Sequence, residues 1–364
     1  MVCQPTKEQP QHGGFVAGHP YKPQNRAITR ANLMNNYFNL NSVYTEEDFR
    51  RRFRMRRHVF KRFVMSCRSI HSFDKSGTEQ ATLVYKDEYL REPNQEDLNR
   101  LVRKAEDRGF WGIIGSLDCM HWDWKKCPTG WQEGFCGRLR KPTVVLDAVA
   151  LYDTWIWHAF FGVPGSQNEI TILECSPIFN RLTEGKPPQL DYYINDRKYN
   201  MGYYLANGIY PKWATLVQAI PNPMNDVEKL FTLHHQKAYG KDVERAFGIL
   251  QAQWKIISEP VKAWSRENLD SVMMSGIILH NMIVEDERDG YIDGESDDDQ
   301  EDPNRSKRAH TKIYDGPNLP FNPRIGSISI NEYMRHYGMI CSGATNKYLQ
   351  QDLVAHLWAK RRLE

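Results

Sequence analysis

No run of eighteen apolar residues occurs in the 364-residue chain, so a membrane-spanning helix, which needs about twenty, is not expected. A secretory leader is not expected either, because MVCQPTKEQPQHGGFVAGHP sets Pro and Gly where an apolar stretch belongs. The cysteines are odd in number and irregularly spaced, at Cys3, Cys67, Cys119, Cys127, Cys136, Cys175 and Cys341. None forms a C-x-x-C pair, and the spacing of Cys119, Cys127 and Cys136 with His121 matches no common zinc site. Free thiols in a reducing compartment, nucleus or cytosol, are the expectation. Net charge is also scarce, at +3.

What the chain does have is segregated charge. Arg50, Arg51, Arg52, Arg54, Arg56, Arg57, Lys61 and Arg62 crowd one stretch, and Asp286 to Asp302 is strongly acidic. The basic cluster alternates with Phe49, Phe53, Val59, Phe60, Phe63 and Val64, a pattern that suits one helix over Thr45 to Cys67. Its polar face is either a plain solvated surface or a DNA-contacting one, with Arg51, Arg54, Arg57 and Lys61 as the phosphate contacts.

Length and a 40% hydrophobic content allow a large core with a smaller unit beside it. Residues 1–30 read as flexible, being polar and rich in Pro and Gly. Residues 31–111 read as a helical block, with Thr45 and Asn94 as N-caps and a loop over Ser69 to Leu83. From Gly112 onward short apolar runs alternate with Gly, Pro and Asp, which predicts strands over Gly112–Leu117, Thr143–Ala150, Trp155–Phe161, Tyr192–Ile194 and Tyr203–Ala206. Helices are expected over Asn168–Phe179, from Lys241 to Ile257, over Leu269–Val284 and over Leu349–Arg361. The fold class is α/β: a ribonuclease-H-like mixed sheet with flanking helices over 112–286, preceded by a small truncated helical unit. An acidic linker over 287–310 and a tail over 311–364 complete the chain.

Cleavage of a phosphodiester asks for acidic oxygens that hold two divalent cations close together. Asp118, directly after the apolar run GIIGSL, suits that task at the end of a strand, although an Asp there is as readily a turn residue. His121, Trp122, Trp124, His158 and His280 read as packed aromatics and histidines.

The strings GSLDCMHWDWKKCP, TVVLDAVALYDTWIWHAFFGVPGSQNEITIL, MGYYLANGIYP, KDVERAFGILQAQW and GIILHNMIVEDE, in this order, closely resemble the plant branch of the PIF/Harbinger transposases and their domesticated nuclease relatives. The resemblance runs from about Tyr85 to Asp286. It implies an acidic triad in LDCMHW, in the D of YYLADGIYP and in the E of DVERAFG, with Mg2+ or Mn2+ as the cofactor. Carried onto this chain, the first is Asp118, the third is Glu244, and the second falls on Asn207. The side chains of all three are expected to line one cleft, with Asn207 weakening the cation site because an amide carries no charge. Asp196 is expected on a turn, away from the gap.

Further departures are Glu169, in place of an Asp in PGSNNDINVL, and Lys237 and Gly240, in place of an E and an R. The stretch HSFDKSGTEQATLVYKDEYLREP is shorter than the family's helical region, which includes a helix-turn-helix-like segment. What the resemblance implies about partners is DNA, a Myb-like DNA-binding protein and chromatin factors, in the nucleus. Three readings follow: an active nuclease or transposase, a domesticated silent member working through chromatin partners, and a decayed transposon copy.

Overall fold

A computed structural model describes residues 25–69, 77–138, 140–183, 189–292, 312–313 and 330–362. They belong to two compact units, Met1–Arg57 and His58–Glu364. Of the segment expected to be flexible, residues 1–24 lie outside the described residues, and Arg26 already opens a helix.

In the first unit, α1 (Arg26–Leu33) passes into a π-helical turn over Met34–Phe38, and α2 (Glu46–Phe53) follows. Thr45 caps α2 in a reciprocal box: its Oγ1 accepts from the Asp48 N–H at 3.2 Å, and Asp48 Oδ2 accepts from the Thr45 N–H at 3.1 Å. Tyr37, Phe38, Phe49 and Phe53 pack edge-on or stacked into a small aromatic core. The single helix expected over Thr45 to Cys67 does not form. Arg54 takes a left-handed conformation (φ 63) and ends α2, so Arg57 folds back, its N–H donating to Glu46 Oε1 at 2.6 Å and its guanidinium to the Tyr44 carbonyl at 3.1 Å. These tertiary bonds outweigh the roughly 1–2 kcal/mol cost of a left-handed residue that is not glycine.

The second unit begins with α3 (Arg57–Ser69), α4 (Gly77–Tyr89) and α5 (Gln95–Asp107). Helix α4 takes up residues 77–83 of the stretch expected to be a loop. Tyr85 and Tyr89, one turn apart, are buried on it, so packing creates a helix that composition alone does not announce. Residues 70–76 lie outside the described residues. Next come β1 (Ile113–Asp123), α6 (Thr129–Phe135), β2 (Thr143–Ala150), β3 (Ile156–Pro164), α7 (Glu169–Cys175) and α8 (Pro177–Thr183). Pro177 divides the one helix expected here into two. Then follow β4 (Gln189–Ile194), β5 (Arg197–Met201), β6 (Tyr203–Ala206), β7 (Leu216–Gln218) and α9 (Asp226–Tyr239). A π-helical segment over Gly240–Glu244 joins α9 to α10 (Arg245–Gln253), and α11 (Lys255–Ser258) comes after it. Last are α12 (Arg266–Ile292), β8 (Lys312–Ile313), α13 (Ile330–Ile340) and α14 (Gly343–Arg361).

The main sheet has the order β3-β2-β1-β6-β7. Its first three strands form an antiparallel meander, while β6 and β7 run parallel to β1. Every residue of β2, TVVLDAVA, is buried, because the strand lies inside the sheet with both faces covered. Gly112 turns the chain into β1 with φ +80, and a Cβ there would collide with the ring of Tyr192 on β4. Edge strand β3 is completed by Asn281 of α12, whose Oδ1 accepts from the Ile156 N–H and whose Nδ2 donates to the Ile156 carbonyl, each at 3.0 Å. A smaller sheet, β5-β4-β8, carries the Asn195-Asp196 turn, both residues left-handed.

Helix α12 continues through Asp286 to Ile292, into the stretch expected to be linker, and 293–310 lie outside the described residues. Its acidic end is met by side chains of α3 and α4. Glu285 accepts from Arg62 at 3.2 Å and from the Tyr89 hydroxyl at 2.5 Å, and Asp286 meets His58 at 2.6 Å. Part of the charge that is segregated in sequence is therefore paired in space.

Candidate functional site

The sequence suggests a strand end for Asp118, but the carboxylate stands in the middle of β1, opposite Ala148 of β2. On its other side β1 pairs with β6 only as far as Ser116 opposite Leu205. Two further residues along that parallel register bring Asp118 level with Asn207, just past the end of β6. The strand end that opens the site thus belongs to β6, and β1 runs on beside it.

Asn207 is fixed by two hydrogen bonds that leave one orientation for its amide. Its Oδ1 accepts from the Ile209 N–H at 2.9 Å, and its Nδ2 donates to Glu169 Oε2 at 3.2 Å. The carbonyl oxygen, the only group of the amide able to bind a cation, is turned into its own loop. Glu169 comes from the first turn of α7, after Asn168, whose side chain caps that helix by accepting from the Thr171 N–H at 2.8 Å. The charges of Glu169 and Glu244 both act on Asp118.

Glu244 is exposed at the end of the π-helical segment, with buried Val243, Ala246 and Phe247 beside it. Such segments widen a helix by one residue and change where the next side chains aim. Here the neighbouring Asp242 is driven inward: it is 0% exposed, accepts from Ser116 Oγ at 2.8 Å, and is paired with Arg108 at 2.8 Å. Burial pushes its carboxyl up to about 6 despite the Arg108 guanidinium and the Ser116 hydroxyl. The buried Asp242 holds the segment that carries Glu244 against β1.

Asp118 is raised to about 6, first by burial and then by the like charges of Glu169 and Glu244, and its Oδ1 accepts from the Cys119 N–H at 2.8 Å. Glu169 is also raised, by burial and by Asp147, with Asn207 acting in the opposite direction. Tyr239, whose hydroxyl donates to the Leu117 carbonyl at 3.3 Å, lies against Asp118 and is pushed far above the usual phenol range by burial. A folded-state value above the unfolded one means that Asp118 favours folding below about pH 4, and that this contribution is lost as pH rises through about 6. Asp118→Asn is therefore expected to gain stability over the parent by about 1–2 kcal/mol between pH 4 and 7, after allowance for partial solvent access. Urea denaturation across that range checks the sign, and a difference that does not change with pH would contradict it.

Behind this group Asp147, 0% exposed in β2, faces Cys119 Sγ at 3.8 Å and His158 Nε2 at 3.5 Å. His158 also meets Ser176 Oγ at 2.9 Å. Cys119 in turn contacts the Tyr210 hydroxyl at 3.4 Å, and burial raises both groups. Asp147, Tyr239 and Asp242 are not singled out by sequence reasoning, since each lies inside a run whose apolar neighbours dominate the pattern. Trp122 and Trp124 are buried, their indole N–H groups donating to the carbonyls of Glu259 and Ala263 at 3.0 and 2.8 Å. His280 is buried between Gln253 and Thr154. Asp196 is on the β4–β5 turn of the smaller sheet.

As arranged, the donor set does not close around a cation. Among the described residues no three His, Cys, Asp or Glu side chains stand together as metal ligands. Asn207 points an N–H, and not an oxygen, at Glu169. Of the four residues expected to contact DNA, Arg51 and Arg54 are exposed in the first unit and Lys61 is exposed in the second. Arg57 is occupied by Ser42, Tyr44, Glu46 and the ring of Phe49.

Residues 30–68 match a domain of unknown function. No solved structure matches the chain. Antagonist of Like Heterochromatin Protein 1, from Arabidopsis thaliana, is 23% identical over 206 residues, which cover 54% of this chain and 50% of that protein. The chain thus spans about half the length of this curated relative. A family profile described as plant transposon protein matches residues 87–291, from the end of α4 to the end of α12 and across the whole main sheet. The chain belongs to this plant transposon protein family, the one its Harbinger-type motifs lead one to expect.

Proposed function

We propose that the chain is a transposase-derived, DNA-associating protein on a ribonuclease-H-like core, in which the cutting chemistry of the ancestral nuclease is impaired at Asn207. Support for the core comes from the strand order β3-β2-β1-β6-β7, with β1 central and β2 antiparallel to it. One observation carries the functional reading: the amide of Asn207 donates to Glu169 and so satisfies the carboxylate that an acid at this position would repel. An acidic triad needs a cation to hold its charges together, and this arrangement uses a hydrogen bond instead. Loss of one ligand charge is expected to cost several kcal/mol of transition-state stabilisation, roughly 100-fold or more in rate.

Nicking of supercoiled plasmid by the purified full chain, with Mg2+ and with Mn2+, tests this. The expected result is no cleavage above that of an Asp118→Ala control. Metal-dependent cleavage that disappears in the control would overturn the reading.

The relative's name favours a related reading for the biological setting, in which the protein works in the nucleus through chromatin factors. Recovery of chromatin proteins with the tagged chain from nuclei is the expected result there.

A further inference from the structure

The carboxylates around Asp118 are not the most open feature of the second unit. At the far end of β1 the chain is joined to two neighbours: the Trp124 N–H donates to the Pro142 carbonyl at 2.8 Å, and the Lys125 N–H donates to the Val261 carbonyl at 2.9 Å. The Val261 N–H donates in return to the Asp123 carbonyl at 2.8 Å. The end of β1, the turn before β2 and the segment leading into α12 therefore form one continuous surface. Its floor is rigid. Buried Trp124 donates to the Ala263 carbonyl at 2.8 Å and packs edge-on against Phe135 at 5.2 Å, with Trp131 at 6.0 Å.

Two properties of this surface stand out. Lys125, Lys126, Arg138, Arg140 and Lys141 are all exposed, and none is ion-paired to a carboxylate among the described residues, whereas Arg57, His58 and Arg62 of the basic N-terminal stretch are taken up by intrachain partners. Trp264 is 64% exposed beside them, with the Lys126 ammonium 5.2 Å from its ring centroid, and Trp131 is 46% exposed. The acids carried by the same segments are Asp123, Glu133, Glu259 and Glu267, of which Glu259 is paired with Lys255 at 3.3 Å. Cations alone would suit any polyanion. Cations interleaved with open indole rings suit a strand that offers phosphates and unpaired bases together.

We infer that this surface binds single-stranded DNA, with Lys125, Lys126, Arg138, Arg140 and Lys141 along the phosphates and a base stacked on Trp264. It deepens the proposed function, resting on the reading that DNA is the ligand. The five-residue step along β1 from Asp118 to Asp123 spans roughly 17 Å.

Fluorescence anisotropy of a labelled 20-nucleotide strand tests this with the full chain in EDTA, so that cation binding near Asn207 plays no part. Replacing the five cations by Gln is expected to weaken binding at least tenfold and to flatten the salt dependence of log K by about 0.7 for each phosphate no longer neutralised. Trp264→Ala is expected to weaken single-strand binding roughly 5- to 100-fold while leaving the salt slope unchanged, with a smaller effect on a duplex of the same sequence. Arg51→Ala combined with Arg54→Ala and Lys61→Ala serves as the comparison and is expected to have the lesser effect. All these side chains are exposed, so unchanged thermal melting identifies folded variants. Wild-type binding that the five-Gln variant retains within twofold overturns this inference alone. A wild-type chain that binds no strand overturns the DNA-association reading as well.

Discussion

Asn207→Asp is expected to make the folded protein depend on divalent cations. In metal-free buffer the substitution removes the donor 3.2 Å from Glu169 Oε2 and replaces it with a second carboxylate, beside the charge of Asp118. A broken hydrogen bond and a new like-charge pair in a half-buried setting should cost about 1–3 kcal/mol at neutral pH. The added carboxylate also supplies the anionic oxygen that the amide withholds. Mn2+ at 100 times its dissociation constant returns about 2.7 kcal/mol through binding to the folded state alone. Thermal melting with and without Mn2+ should therefore show a large cation-induced rise for Asn207→Asp and little for the parent. Equal rises in both would mean that the amide is no obstacle.

Arg108→Ala is expected to be among the most destabilising single substitutions in the chain. Asp242 is fully buried, and its partners are Arg108 at one oxygen and Ser116 at the other, each at 2.8 Å. Removing the guanidinium strands a carboxylate in the interior, which costs about 3–5 kcal/mol. The sign of the pH dependence follows from burial, which already holds this carboxyl at about 6. Without Arg108 the value rises further, so the stability of the variant is greatest at low pH and falls as pH rises from about 4 to 8. Adding Asp242→Asn to Arg108→Ala should recover much of the loss at pH 8 and little at pH 4. Urea midpoints of the single and double variants decide it, and a loss from Arg108→Ala that is small and independent of pH would show that the pair does not hold the π-helical segment in place.

The parts of the fold that were legible in sequence share a physical reason. Strands β2 and β6 have the bounds that their patterns suggest, because short apolar runs enclosed by Pro, Gly, Asn or Asp have few alternatives. Thr45 and Asn94 cap as read, since capping is decided within four residues. The misses are tertiary. Strand β1 runs six residues past Leu117 because pairing with β2 holds a stretch, DCMHWD, that looks like a strand end. Helix α4 exists because Tyr85 and Tyr89 find a buried environment, and α2 stops at Arg54 because Arg57 has partners behind it.

The same division holds for the site. The family motifs point to Asp118, Asn207 and Glu244, and the parallel register of β1 and β6 brings the first two level. Glu169 stands out in sequence only as a substituted acid, and no local pattern reveals that it receives the Asn207 amide, thirty-eight residues away. The basic N-terminal stretch is only partly resolved by sequence for a related reason: Arg51, Arg54 and Lys61 are exposed, while Arg57 and Arg62 have intrachain partners. Linear charge density does not say which cations meet carboxylates, and the acidic end of α12 takes up Arg62.

Titration of Mn2+ into the unaltered chain, followed by the electron paramagnetic resonance signal of the free ion, tests the role of Asn207 most directly. Weak binding, with a dissociation constant at least tenfold larger than that of Asn207→Asp, is the expected result. Tight binding of two Mn2+ ions by the unaltered chain, with no gain from Asn207→Asp, would contradict it.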